Sequence, residues 1–181
     1  HLLLVNHTSY FDTLVLYAVL PPNYAFVAKR ELLRRPFLHA VLRGLGTLFV
    51  ERYDAAKSAG DVEEIVAAHG AGQSLVIFPE GTFSREAGLT PFRMGAFVAA
   101  ARTGVPVAVA GLRGIRAILR DRSRLPQHGR PEVELGAVLR ADGQDWAAAV
   151  RLREAVRGEM LRLSGEYDLG GLLPELPAPG A

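Results

Sequence analysis

Short apolar runs alternate along this chain with longer stretches of helical periodicity. Leu2-Leu3-Leu4-Val5 is a continuous apolar run of strand length, the pattern of a strand buried on both faces. Asp12 to Leu20 reads as a short apolar helix with Asp12 in its first turn, where a carboxylate suits the helix dipole. Pro21-Pro22-Asn23 breaks the chain. Tyr24 to Ala28 is expected as a second strand, and Arg30 to Arg43 as a basic helical region divided at Pro36. Thr47 to Glu51 reads as a third strand. Asp54 can cap a helix running to about His69, weakened by Gly60. Ser74 to Phe78 reads as a fourth strand and leads into the loop Pro79 to Pro91. A helix over Arg93 to Arg102 and strands over Val105 to Ala110 and Glu132 to Gly136 follow. From Gln144 to about Leu163, the apolar residues Trp146, Val150, Leu152, Val156, Met160 and Leu163 recur at near-helical spacing and predict a longer amphipathic helix.

Strands alternating with helices indicate an α/β fold: a single domain with a mixed, mostly parallel sheet flanked by helices. The domain is expected over residues 1–165, with 166–181 as a Pro/Gly-rich tail or linker. His1 already lies against a strand, so the domain reads as truncated at its N-terminus, with a membrane anchor or another domain upstream. In open α/β sheets functional loops gather at the carboxyl ends of strands. His7, Arg52 and Glu80 all follow predicted strands, so one rim could carry all three.

Composition narrows the chemistry. The chain has 181 residues, enough for one α/β domain with a sizeable core, and 49% of them are hydrophobic. Its longest uncharged stretch, Thr13 to Ala28, is interrupted by Pro21-Pro22-Asn23 and falls short of a spanning helix. No signal-peptide pattern is visible. The absence of Cys excludes a disulfide framework, a thiol nucleophile and Cys-ligated zinc. Lys29 and Lys57 are the only lysines, so the positive charge is nearly all Arg, the better residue for bidentate phosphate contacts. The arginines are spread out and no recognition motif accompanies them, which argues against nucleic acid.

Candidate chemistry begins at Val5-Asn6-His7-Thr8-Ser9-Tyr10-Phe11-Asp12. An imidazole leaving a strand, with a carboxylate five residues on in the first turn of a helix, is a general base with its orienting partner. Such a pair can take a proton from a hydroxyl as that hydroxyl attacks an acyl carbon, Asp12 fixing the tautomer and stabilising the imidazolium. No Gly-x-Ser-x-Gly elbow occurs, and Ser9 lacks such a context. The nucleophile is therefore expected to belong to the substrate. A second constellation lies in Phe78-Pro79-Glu80-Gly81-Thr82-Phe83-Ser84-Arg85. Gly81 allows close backbone approach, Thr82 and Ser84 offer hydroxyls, and Arg85 a planar cation, a set that suits an anionic head group. Arg52 adds a phosphate-sized cation, and Lys29 and Arg30 further positive field.

Together these blocks resemble the glycerolipid acyltransferase family typified by 1-acylglycerol-3-phosphate acyltransferases, over Leu2 to about Leu163. His7 and Asp12 match its His-x4-Asp motif. Gly46, Phe49, Val50 and Arg52 match its Gly-x-x-Phe-Val-x-Arg block, and Phe78 to Thr82 its Phe-Pro-Glu-Gly-Thr block. Phe92-Arg93-Met94-Gly95-Ala96-Phe97 resembles a further element. The resemblance implies that His7 is the general base and Asp12 its partner. It implies that Arg52, Glu80 and Gly81 bind the glycerol-phosphate part of a lysophospholipid, and that the donor is a thioester of coenzyme A or acyl carrier protein. Two positions depart from the pattern. Phe83 stands where many members carry Arg, with Arg85 two residues on. Val105-Pro106-Val107-Ala108-Val109 lacks the second proline of the fourth block, which bears on acyl-chain preference.

The expected protein is an O-acyltransferase of phospholipid biosynthesis that needs no metal or redox cofactor. It is expected at the cytoplasmic face of a membrane, peripheral or anchored through a segment absent from this chain. Glu80 can tie down its loop through backbone hydrogen bonds and still shape the acceptor site. Lys29, Arg30, Arg34 and Arg35 read as a solvated or lipid-facing helix surface. His39, His69 and His128 have no acidic partner at suggestive spacing. The rivals are transfer to another lipid alcohol, a metal-dependent hydrolase using His7, Asp12 and Glu80 as ligands, and a non-catalytic lipid-binding module.

Overall fold

The computed structural model describes residues 1–9, 11–29, 48–50, 58–81, 87–118 and 127–170. Its strands are β1 (Leu2–Val5), β2 (Tyr24–Lys29), β3 (Leu48–Val50), β4 (Ser74–Ile77), β5 (Val107–Arg113) and β6 (Glu132–Leu139). The helices are α1 (Phe11–Val19), α2 (Ser58–Gly70), α3 (Gly95–Thr103), α4 (Ile115–Ile118) and α5 (Trp146–Ser164). The strands form one sheet in the order β3-β2-β4-β1-β5-β6. β1 runs parallel to both its neighbours, with Leu4 opposite Ile77 and Val109, while β6 closes one edge antiparallel to β5. A mixed, mostly parallel sheet is the expected architecture, and the carboxyl ends of β1, β4 and β5 share one rim.

The strand period of two divides the core. Leu2 and Leu4 face the layer of α2, α3 and α5, together with Leu75, Ile77, Val107 and Val109. Leu3 and Val5 face α1 and α4, together with Phe26, Val76, Leu112 and Ile115. All four residues of β1 are at most 1% exposed. Each such side chain contributes about 1.5–3 kcal/mol on burial, which anchors β1 in the core on both faces.

Element boundaries depart from the sequence reading where side chains outside the local pattern decide. β5 extends past Ala110 to Arg113 because β6 pairs with it as far as Arg113 opposite Glu132. β6 itself runs on to Leu139, and the four-residue α4 was not anticipated. α3 starts at Gly95 rather than Arg93, whose N–H donates to the Pro79 carbonyl at 2.8 Å instead of starting the helix. Asp145 caps α5, accepting from Ala148 N–H at 2.7 Å. Trp146, expected in the apolar stripe, is 52% exposed. It is the first residue of α5, and the core is met from Ala148 and Ala149 onward through Leu152, Val156, Met160 and Leu163. Gly111 lets this helix press against β5, since a Cβ there would lie 2.5 Å from Leu163 Cβ.

Residues 166–170, grouped with the tail in the sequence reading, pack on the domain. Leu89 N–H donates to the Tyr167 carbonyl at 2.7 Å, and Leu169 N–H to the Leu89 carbonyl at 3.1 Å. The helical region Arg30 to Arg43, the cap at Asp54 and the tail from 171 onward lie outside the described residues.

Candidate active site

β1 hands the chain to its rim through Asn6. This side chain, 1% exposed, donates to the Leu112 carbonyl at 3.1 Å and accepts from Leu112 N–H at 2.7 Å. The amide thus continues the ladder to β5 by one more step after the strand has ended. Sequence reasoning missed Asn6; the available signal was a lone amide closing an apolar strand, which burial obliges to find partners.

His7 follows, its ring stacked on Phe78 with centroids 4.2 Å apart and planes 17° apart. Its Nδ1 lies 2.8 Å from Asp12 Oδ2. The Asp12 side chain has no exposed surface, and that of His7 is 16% exposed. Asp12 also accepts from Thr8 N–H at 2.5 Å, Ser9 N–H at 2.9 Å and Thr8 Oγ1 at 3.0 Å. Ser9 Oγ accepts from Phe11 N–H at 3.3 Å. Ser9 and Asp12 therefore form a capping box at the start of α1, Asp12 reaching back to the N–H of the residue three before it. The helix start that needs a carboxylate is what holds the carboxylate against His7. An ionised carboxylate only accepts, so Nδ1 carries the hydrogen and Nε2 the lone pair.

Glu80 approaches from the end of β4, the strand beside β1, and is 4% exposed. Its Oε1 accepts from His7 N–H at 2.8 Å. Its Oε2 accepts from Thr90 N–H at 2.9 Å and Thr90 Oγ1 at 2.8 Å. Burial pushes the Glu80 carboxyl above its ordinary range, against the opposing pull of those same hydrogen bonds. Gly81 takes φ +82°, the left-handed region, and its N–H closes a turn onto the Phe78 carbonyl at 3.0 Å. His7, Asp12, Glu80 and Gly81 therefore meet at one rim. Lys29 is the last residue of β2, paired with Val50, and its side chain lies outside the described residues. Arg52, Thr82 and Arg85 also lie outside them.

On the β5 side, a cleft of about 350 Å³ is lined by Thr8, Arg113, Arg116, Ser164 and Glu166 among others. Its cations brace the end of α5. Arg113 donates to the Leu163 carbonyl and, at 3.1 Å, to that of Arg162, while Arg116 meets Glu166 at 3.3 Å. Among the described residues no group of three or more His, Cys, Asp or Glu is placed to hold a metal ion. Asp12 and Glu80 turn their oxygens to N–H and O–H donors of the chain itself.

An imidazole hydrogen-bonded to a buried carboxylate at a strand end is an arrangement that can accept a proton at Nε2. The family model for acyltransferases matches residues 1–112. The 1-acyl-sn-glycerol-3-phosphate acyltransferase of Escherichia coli (strain K12) is 35% identical over 105 residues, which are 58% of this chain and 43% of that protein. A chloroplastic 1-acyl-sn-glycerol-3-phosphate acyltransferase of Arabidopsis thaliana is 30% identical over 129 residues, 71% of this chain and 36% of that protein. The chain thus spans less than half the length of these curated relatives. The crystal structure of the 1-acyl-sn-glycerophosphate (LPA) acyltransferase PlsC from Thermotoga maritima shares the fold. Its TM-score is 0.68 at 22% identity, over 87% of this chain and 61% of that one.

Proposed function

The chain belongs to the acyltransferase family, and from that premise we propose that the protein transfers a fatty acyl group from a thioester to the free hydroxyl of a lysophospholipid, 1-acylglycerol-3-phosphate first among them. The observation that carries this reading is the His7–Asp12 pair, 2.8 Å apart and set at the carboxyl end of the central strand. His7 Nε2 takes the acceptor's hydroxyl proton while the oxygen attacks the thioester carbonyl carbon. The tetrahedral intermediate collapses by breaking the carbon–sulfur bond, and the imidazolium returns its proton to the departing thiolate. Ser9, the hydroxyl between the pair, is buried and accepts from Phe11 N–H. The substrate alcohol is the nucleophile in this scheme and no acyl-enzyme forms.

Arg52 is assigned to the acceptor phosphate, with Gly81, Thr82, Arg85 and Lys29 around the glycerol-phosphate part. Glu80 serves by holding the His7 backbone and the Thr90 segment in place. The donor is a thioester of coenzyme A or of acyl carrier protein. Both substrates carry acyl chains, so the reaction belongs at a membrane surface, on the cytoplasmic face where such thioesters are made. Support for that placement comes from α1, which exposes Leu14 by 49%, Tyr17 by 53% and Val19 by 58% in a stretch without charge. No helix among the described residues is long and apolar enough to cross a membrane.

His7→Ala tests the mechanism, with lysophosphatidic acid and an acyl-coenzyme A as substrates and phosphatidic acid as the measured product. Turnover should fall by about a thousandfold or more with the thermal melt unchanged. A variant within about tenfold of the parent enzyme would reject His7 as the base.

A further inference from the structure

We propose that Arg157, on α5 and outside every motif described above, is a positioning residue for His7, acting through Thr90 and Glu80. The inference deepens the proposed acyl transfer and rests on it for its kinetic arm. Arg157 is 8% exposed, and its guanidinium lies over the Phe92 ring, 5.0 Å from the centroid. One amino nitrogen donates to the Thr90 carbonyl at 2.8 Å and the other to the Leu89 carbonyl at 2.7 Å. Nε donates to Asp168 Oδ1 at 3.2 Å, and the second amino nitrogen joins the same oxygen.

These bonds continue to the rim. Thr90 gives its N–H and its hydroxyl to Glu80 Oε2, and Glu80 Oε1 receives His7 N–H. A single run of hydrogen bonds therefore leads from Asp168, four residues past the end of α5, to the backbone of the proposed base. The segment it crosses, Leu89 to Arg93, contains no helix, and between β4 and α3 it lacks neighbours in a regular ladder. It is held by Arg157, by the bridge from Leu89 to Asp168 and by Arg93 N–H on Pro79. Without the guanidinium, the Thr90 carbonyl loses this donor, the Leu89 carbonyl keeps Leu169 N–H, and Thr90 can turn away from Glu80.

Burying a charge is costly, and an apolar residue of similar volume often stabilises a protein as well or better. What an apolar side chain cannot do is hold the carbonyls of two successive residues at once and thereby aim the N–H and hydroxyl of Thr90. Lysine, a point donor, can hold one carbonyl but not the planar set. The geometry is suited to fixing a segment's position, which distinguishes Arg157 from a residue that merely fills the core.

The test compares Arg157→Met, Arg157→Lys and the milder Asp168→Asn in the full protein, by amide hydrogen exchange and by kinetics. In Arg157→Met, the His7 amide should exchange at least about tenfold faster while Leu3 and Leu4 in β1 keep their protection. The kcat for acyl transfer should fall about tenfold, with the KM for lysophosphatidic acid within about twofold. Arg157→Lys should recover only part of the loss, and Asp168→Asn should show the same pattern more weakly. Because Arg157 and Glu80 act on one segment, the losses in Arg157→Met and Glu80→Gln should be less than multiplicative when combined. Equal acceleration of His7 and β1 amides would overturn the proposal, as would unchanged kcat or losses that multiply. If Arg157→Met does not fold, the His7-selective change in Asp168→Asn decides. Should the parent enzyme leave lysophosphatidic acid untouched, the acceptor assignment falls, and the exchange measurement still decides the positioning role.

Discussion

His7 N–H donates to Glu80 Oε1 at 2.8 Å, so the end of β4 carries a side chain that holds the backbone of the residue after β1. Parallel neighbours make this possible, because Leu4 stands opposite Ile77 and both strands end at the same level. Glu80→Ala would leave the His7 N–H and both Thr90 donors without their acceptor in a buried site. A destabilisation of about 2–4 kcal/mol is expected, measured by urea unfolding. Glu80→Gln keeps one oxygen and turns its NH2 toward one of the donors, so it should cost less and still lower kcat. Stability equal to the parent's in Glu80→Ala would contradict the hydrogen bonding described.

Asp12→Asn removes the acceptor-only character that sets the His7 tautomer. The amide can donate to Nδ1 and so place the hydrogen on Nε2, the wrong nitrogen for a base. By the logic of a base–carboxylate pair, kcat should drop about 10³–10⁴-fold with the helix start preserved. Circular dichroism checks the fold and product formation the rate. A loss smaller than about tenfold would mean that Asp12 serves α1 alone.

The Arg157–Asp168 pair makes a prediction about pH. The hydrogen bond from Arg157 holds the Asp168 carboxyl below its ordinary value of 3.8. The folded state therefore binds this proton less readily than the unfolded chain. Its contribution to stability is present in full above pH 3.8 and is lost as pH falls through the lowered value. Asp168→Asn should melt earlier than the parent at neutral pH, and the difference should narrow under acid. A difference that stayed constant to pH 2 would show no linkage through this carboxyl. Glu80 acts in the opposite sense. Its carboxyl is raised above 4.5 mainly by burial, so its contribution is lost as pH rises from there through the folded value.

The exposed apolar side of α1 predicts lipid contact. Replacing Leu14, Tyr17 and Val19 together by Ser should weaken sedimentation with anionic phospholipid vesicles by about tenfold or more. Thermal stability should hardly change, since these side chains are about half exposed already. Turnover of a short-chain acceptor below its micelle concentration should be retained. Unaltered vesicle binding would move the membrane-facing surface elsewhere.

The order of strands and helices, the strand at Leu2 to Val5 and the meeting of His7 with Asp12 were legible from local rules. An apolar run of four demands burial, and a carboxylate in a first helical turn lies within reach of the residue five before it. The resemblance to glycerolipid acyltransferases likewise lived in short contiguous blocks. Tertiary structure alone decided the rest. Asn6 became a rung to Leu112, 106 residues away, and Phe78 became the plane on which His7 stacks. Arg157 is an arginine beside a buried stripe, indistinguishable in sequence from the exposed arginines of the same helix. Its role follows from the folding of α5 and residues 167–169 against Leu89 and Thr90, which local periodicity does not encode. The chain's local chemistry determined which residues could move a proton. The sheet register decided how His7 is held, by bringing Glu80 from the neighbouring strand to its N–H.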